Sequence, residues 1–287
     1  MAIITISRGC FSHGKEVAEK VGDMLGYKVL SRESIIEEAG QRYHVPEKEL
    51  IKSVHAPSVL DRFTGGKEQY LTYIQATLLD YARADKLVYH GHASHLLMPD
   101  IKHVLNVRII ANIRDRVAFM REKQNLSEKE AMRHINHEDT SRSRWASALY
   151  KIDITDPHLY DMIVNINSLN IDDACQMICY TAQMDSFQTM PESWQAIEDL
   201  AVASQIKAAI ANAVDPGLPV TVHANNGNVH VHAEAAHIRK TGYTHPKIEK
   251  HMKEQSQQDI KDAIAEAISG ISGIKNVVYE VAPPSYA

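Results

Sequence analysis

Cysteine is scarce: Cys10, Cys175 and Cys179 are the only three in 287 residues. They are too few for a disulfide framework and point to a reducing, cytoplasmic setting. Long apolar runs are missing as well, since none reaches the roughly 20 residues that a membrane-spanning helix needs. Residues 1–7 carry neither the basic stretch nor the long apolar stretch of a secretion signal. Nor is there an excess of positive charge, because 31 Lys+Arg against 36 Asp+Glu leave a formal net charge of −5. A general nucleic-acid binder is thereby disfavoured. What remains, 44% hydrophobic and 23% charged residues, is ordinary globular composition, and 287 residues suffice for one large or two modest domains.

Along the chain, residues 2–7 form a short β-rich apolar run, followed by a glycine-bearing turn and an amphipathic stretch with Val17, Ala18, Val21, Met24 and Leu25 at helical spacing. Gly26 suits the position after a helix end. Further strand-like runs at 27–30, 86–90, 104–111 and 161–165 alternate with helical patterns, which predicts right-handed crossovers and a parallel sheet. The polar, Arg- and Glu-rich stretch 125–150 reads as a helical lid. Residues 186–199 shift in composition and read as a linker between a domain at 1–185 and a second at 200–287. In the second, a helix stripe at Ile206, Ala209, Ile210 and Ala213 precedes alternating residues 220–224 and 229–235 around Asn226-Gly227, a strong hairpin turn. A helix face through Ile260, Ile264 and Ile268 and a last strand complete an αββαβ pattern. No internal repeat or low-complexity tract stands out.

The chemistry concentrates in Gly9-Cys10-Phe11-Ser12-His13-Gly14-Lys15, which has the spacing of a phosphate-cradling loop and sits between a strand and a helix. Backbone N–H groups and the positive end of the following helix can enclose a phosphate, with Lys15 reaching its outer oxygens. Glu16 stands where a Ser or Thr would hold Mg²⁺. In the lid, Arg133, Arg142 and Arg144 are candidates to neutralise a transferred phosphoryl group, with Asp139 able to orient Arg142.

These residues resemble the cytidylate kinase-like proteins of the P-loop nucleoside monophosphate kinase group, over about residues 1–185. The resemblance is carried by Ile4-Thr-Ile-Ser-Arg8, Gly14-Lys-Glu-Val-Ala18, Leu25-Gly26, Ser31-Arg-Glu33, Val88-Tyr-His-Gly91, Asp139-Thr-Ser-Arg142 and the run from Asp156 to Asn165. It implies ATP and Mg²⁺ as cofactors, catalytic Lys15, Arg142 and Arg144, and a nucleotide loop of Gly9 through Glu16. It further implies that the acceptor lies against Ser31, Arg32, Gly91, His92, Ala93 and Asp139, with Arg108 or Arg116 near phosphate. Two positions depart from the family: Ser31 replaces an acid and His92 an arginine, so the acceptor need not be cytidylate.

Three other features stand beside that resemblance. Residues 200–287 resemble a BON domain, which implies binding of a partner protein or self-association. His223, His230 and His232 share one hairpin face, yet no fourth ligand beyond Glu234 is evident, and the face reads as solvated with no metal site. Cys175 and Cys179 read as buried packing, while Cys10 in the loop is a candidate for a thiol made acidic by a helix N-terminus. The sequence thus leads to an ATP-dependent kinase acting on a small phosphorylated acceptor. The alternative is an ATP-binding sensor, altered in catalysis, whose C-terminal module binds a partner.

Overall fold

In the computed structural model, which describes residues 1–53, 66–91, 94–167, 169–214, 218–234 and 246–283, β1 (Ile3–Arg8) is the centre of a five-stranded parallel sheet. Its neighbours are β3 (Leu87–Gly91) and β4 (Val104–Ala111), and β2 (Lys28–Ser31) and β5 (Met162–Ile166) lie at the edges, giving the order β2-β3-β1-β4-β5. β1 is apolar on both faces because helices cover both, as a parallel sheet requires. Ile3 enters a core with Tyr73, Leu78 and Leu87, whereas Ile4 and Ile6 enter another with Val17, Val21 and Leu105. α1 (Gly14–Leu25) and α7 (Ile171–Ala182) supply the second core, and Cys175 and Cys179 are buried in it. α2 (Arg32–Tyr43), α3 (Glu47–Ser53) and α4 (Gly66–Ala82) cover the other face.

Within α1 the buried stripe is Val17, Ala18 and Val21, but Met24, read as part of it, is 48% exposed. The helix ends at Gly26, whose φ of 66° is the left-handed cap expected there. α5 (Ile113–Gln124) and α6 (Glu128–Tyr150) pair over the carboxyl edge of the sheet, with Ala131 and Ile135 of α6 buried against Val117 and Met120. The stretch read as a lid is therefore a helix with a small core of its own.

Residues 186–199, expected as a linker, are built otherwise. A 3-10 turn at Asp185–Phe187 leads into α8 (Pro191–Ala213), one helix of 23 residues. Ile197 and Ala201 are fully buried in the core of the first unit, and Glu198 makes a two-pronged pair with Arg83 at 2.7 and 2.8 Å. Val202, Ile206 and Ile210 of the same helix belong to a third core beneath the second sheet. Polar composition alone concealed this, because α8 buries different stripes against different partners.

That second sheet contains β6 (Val220–Asn225), β7 (Asn228–Glu234) and β8 (Asn276–Ala282), in the order β6-β7-β8. α9 (Pro246–Ile268) connects β7 to the parallel β8, so the element order after α8 completes αββαβ. In the antiparallel hairpin His223 faces His230 and Ala224 faces Val229, the expected register. Asn226 and Gly227 take φ of 49° and 80°, as a type I′ turn demands. Among the described residues no helix is long and apolar enough to cross a membrane.

Candidate functional site

The loop from Gly9 to Lys15 joins β1 to α1 in a conformation its side chains hold in place. Phe11 and His13 both have positive φ, 54° and 63°, a costly geometry for such residues and one that clusters at functional sites. Phe119 of α5 supports both, with ring centroids 5.8 Å from Phe11 and 4.1 Å from His13. Ser12, 1% exposed, donates to the carbonyls of Gly9 at 3.0 Å and Ile109 at 3.3 Å, tying the loop to the end of β4. A Cβ on Gly14 would stand 2.4 Å from Cβ of Arg8, so only glycine permits this close approach.

Two hollows flank the loop. One, of about 240 Å³, is lined by the expected loop residues Cys10, Phe11, Ser12, His13, Gly14, Lys15 and Glu16 together with Phe119 and Lys123. Lys15 is exposed there, with Nζ 3.7 Å from Glu19. The other, of about 260 Å³, opens at the carboxyl ends of β1 and β4, and Arg8, Arg108, Arg116 and Arg142 all line it. In an open parallel sheet this is where ligands bind. Among the described residues Asp139 is the one carboxylate in the lining, and it is already engaged.

That engagement differs from the sequence expectation. Asp139 receives both prongs of Arg116, at 2.8 and 2.9 Å, while Arg116 Nε donates to the Cys10 carbonyl at 2.7 Å. Arg142 instead approaches Glu138 at 3.7 Å and donates to the Arg8 carbonyl at 3.3 Å. Arg144 is exposed and outside the cavity, because two residues along a helix turn a side chain by about 200°. Arg133 is likewise exposed.

On the acceptor side, Ser31 pairs with His90 across β2 and β3, and the Arg32 Cβ lies 2.9 Å from where a Gly91 Cβ would stand. The structure thus brings Ser31, Arg32 and Gly91 together, while His92 and Ala93 lie outside the described residues. Ser31 also caps α2: its Oγ accepts from Ser34 N–H at 3.0 Å, and Ser34 Oγ accepts from Ser31 N–H at 3.1 Å. Burial presses hardest against ionisation of Glu33, yet Arg32, its own backbone N–H and Arg8 together hold the carboxyl below its usual range.

Several participants escaped the sequence reading. Arg8 was visible only as the last residue of a motif, and Tyr160, which also lines the second hollow, carried no signal beyond its motif. Burial lowers the Arg8 pKa, and its Nε and that of Arg32 are buried without a protein partner. Ser7, at the cavity floor, lies 3.1 Å from both Ser94 Oγ and His95 Nδ1. Burial, reinforced by Arg108, holds His95 neutral with its pKa lowered to about 4. Burial and then Arg8 do the same to His90, also to about 4. The Cys10 thiol goes the opposite way from the expectation, because burial pushes its pKa up more than the neighbouring arginines lower it.

The three histidines of the second sheet do not gather around a point. His232 Nδ1 lies 3.5 Å from Glu280, and among the described residues no three His, Cys, Asp or Glu side chains come together as a metal site.

A glycine loop between a central parallel strand and a helix, capped by paired helices, is the fold of a P-loop kinase. Residues 3–168 match the cytidylate kinase-like family, and the chain belongs to that family. A cytidylate kinase of Pyrobaculum islandicum is 25% identical over 179 residues, covering 62% of this chain and 90% of that relative. One from Pyrobaculum calidifontis is 22% identical over 178 residues, with the same coverage of 62% and 90%. A crystal structure of an uncharacterized protein from Eubacterium ventriosum is 19% identical with a TM-score of 0.48, over 63% of this chain and 97% of that one.

Proposed function

We propose that this protein transfers the γ-phosphoryl group of ATP to a nucleoside monophosphate or a related small phosphorylated acceptor. The observation that carries the reading is the convergence of Arg8, Arg108, Arg116 and Arg142 on one cavity beside the glycine loop. Four guanidinium groups facing one carboxylate, itself paired, create an enclosed cationic site suited to phosphoryl oxygens. The partnerless Nε atoms of Arg8 and Arg32 offer further donors to an anion.

In this reading the loop from Gly9 to Glu16 holds the ATP phosphates on its backbone N–H groups, and Lys15 swings from Glu19 toward them. Arg142 spreads charge from the equatorial oxygens, and Asp139 positions Arg116. Arg32 and the Gly91 segment seat the acceptor, whose phosphate oxygen is already anionic and needs no general base. Its oxygen bonds to the γ phosphorus as the bond to the β-phosphate oxygen breaks, leaving ADP. Mg²⁺ carried in with ATP would supply further charge neutralisation. Arg144 lies outside the cavity here, so a catalytic part for it requires α6 to rotate. The second unit, sharing α8 with the first, fits a BON-like module for docking, in a cytoplasmic setting.

The test is ADP release by the purified protein with Mg-ATP against CMP, dCMP, UMP, AMP and GMP, with Lys15→Ala as control. Turnover that depends on one acceptor and vanishes in the variant supports the proposal and names the substrate. ATP binding without turnover on any acceptor overturns it in favour of a nucleotide sensor, a reading to which the capping role of Ser31 lends weight.

A further inference from the structure

A groove of about 790 Å³ lies away from the phosphate site, where the two units meet. One wall is a single face of α8 running from Glu192 to Ala203, its lining residues spaced three and four apart. A second wall is the turn Pro99 to Ile101. The third is the end of β6, with every residue from Val222 to Asn225 contributing, and the turn residue Asn226. Side chains on a strand alternate between faces, so a cavity touched by four consecutive strand residues meets the strand along its edge rather than on one face.

That edge is open. β6 is the outer strand of the sheet β6-β7-β8. Its pairing with β7 closes through a turn at Asn226-Gly227, with Asn225 opposite Asn228, and the Glu234 N–H donates to the Pro219 carbonyl at 3.1 Å. Bonded and non-bonded pairs alternate in an antiparallel ladder, so Pro219, Thr221, His223 and Asn225 direct their backbone groups at β7. Val220, Val222 and Ala224 direct theirs outward, and two of these three line the groove. A row of outward donors and acceptors is a template for another strand.

The charge of the walls states what kind of strand. Among the described residues Asp100, Glu192 and Asp199 line the groove and no Lys or Arg does, while Ile101, Leu200 and Val222 add apolar surface. We propose that this groove takes an extended segment of a partner protein, with Lys or Arg alternating with apolar residues, as a fourth strand along β6. The main chain of that segment bonds to Val222 and Ala224. Side chains on the side of that segment turned to the helix wall carry the positive charge to Glu192 and Asp199.

The probe is a fluorescein-labelled, end-capped peptide of alternating Lys and Val, eight residues long, titrated with the full-length protein and read by anisotropy, beside the matching Glu–Val peptide. Ala224→Pro removes an outward N–H without touching the hairpin ladder, and Glu192→Lys with Asp199→Lys reverses the charge of the helix wall. Circular dichroism melts confirm that both variants fold. The expected result is saturable binding of the Lys–Val peptide at least about tenfold tighter than the Glu–Val peptide, weakened about tenfold or more by each variant. Equal affinity for the two peptides, or no binding of either, overturns the proposal. So does a Lys–Val affinity that falls with charge reversal but not with Ala224→Pro, since attraction would then operate without strand addition.

Discussion

Arg116 joins the lid to the phosphate loop through Asp139, whose two carboxylate oxygens lie 2.8 and 2.9 Å from its guanidinium, while its Nε holds the Cys10 carbonyl at 2.7 Å. A single planar fork thus touches α6 and the loop together. Lysine carries the charge but cannot make three directed bonds. Arg116→Lys is therefore expected to lower kcat about a hundredfold, with Asp139→Asn producing a smaller loss. Steady-state kinetics on the acceptor identified by the ADP-release assay checks this, and near-wild-type kcat for Arg116→Lys would show that the clasp is not needed in turnover.

Gly14 is the position of closest approach in the loop. An added Cβ meets Arg8 Cβ at 2.4 Å and Cδ at 2.7 Å, so Gly14→Ala must displace either the Arg8 stem or the start of α1. We expect a stability cost of about 1–3 kcal/mol and ATP affinity weakened by at least about tenfold. Isothermal titration with ATP and urea melts of the same variant measure both.

His90 and His95 are buried and neutral, each with its pKa lowered from 6.5 to about 4. Burial is the main cause in both, with Arg8 and Lys15 adding to it at His90, where Glu33 opposes, and Arg108 adding to it at His95. Below pH 6.5 the unfolded chain takes up protons that the folded chain refuses. Stability is therefore complete above that pH and falls as pH drops toward 4, at up to about 1.4 kcal/mol per pH unit for each imidazole. Urea midpoints between pH 7 and pH 5 should decline, and His90→Leu should make the decline shallower. An unchanged slope in that variant would show that His90 is not held neutral.

A chain ended after residue 185 keeps all five strands of the first sheet but loses Ile197, Ala201 and Ala208, which are fully buried in its core, and the partner of Arg83. Calorimetry should place its Tm more than about 5 °C below that of a chain ended after residue 213. Equal values would return the boundary to the position the composition suggested.

The first sheet was legible because its signals are local. Residues 2–7, the glycine loop and the α1 stripe lie within 25 consecutive residues, and each reports its own backbone geometry. The hairpin was legible for the same reason, since Asn226-Gly227 sets the register that places His223 opposite His230. α8 was not, because its burial is divided between Ile197 facing one core and Ile206 facing another. No single amphipathic stripe marks such a helix, and its polar start resembles a linker.

For the candidate site, the loop residues proposed to bind through the backbone announced themselves, as loop spacing does not depend on the rest of the fold. Arg142 and Arg144 looked equivalent along the chain, and Asp139 seemed the partner of the nearer one. Helix rotation sends Arg144 to the surface, and the packing of α5 against α6 gives Asp139 to Arg116. The sequence by itself determined the alternation of strands and helices in the first unit, the glycine loop and the register of the hairpin, because these follow from short-range periodicity and backbone preference. Only the tertiary structure decided which charges meet, where the units join and which strand edge of the second sheet lines the groove, because those depend on groups brought together from distant parts of the chain.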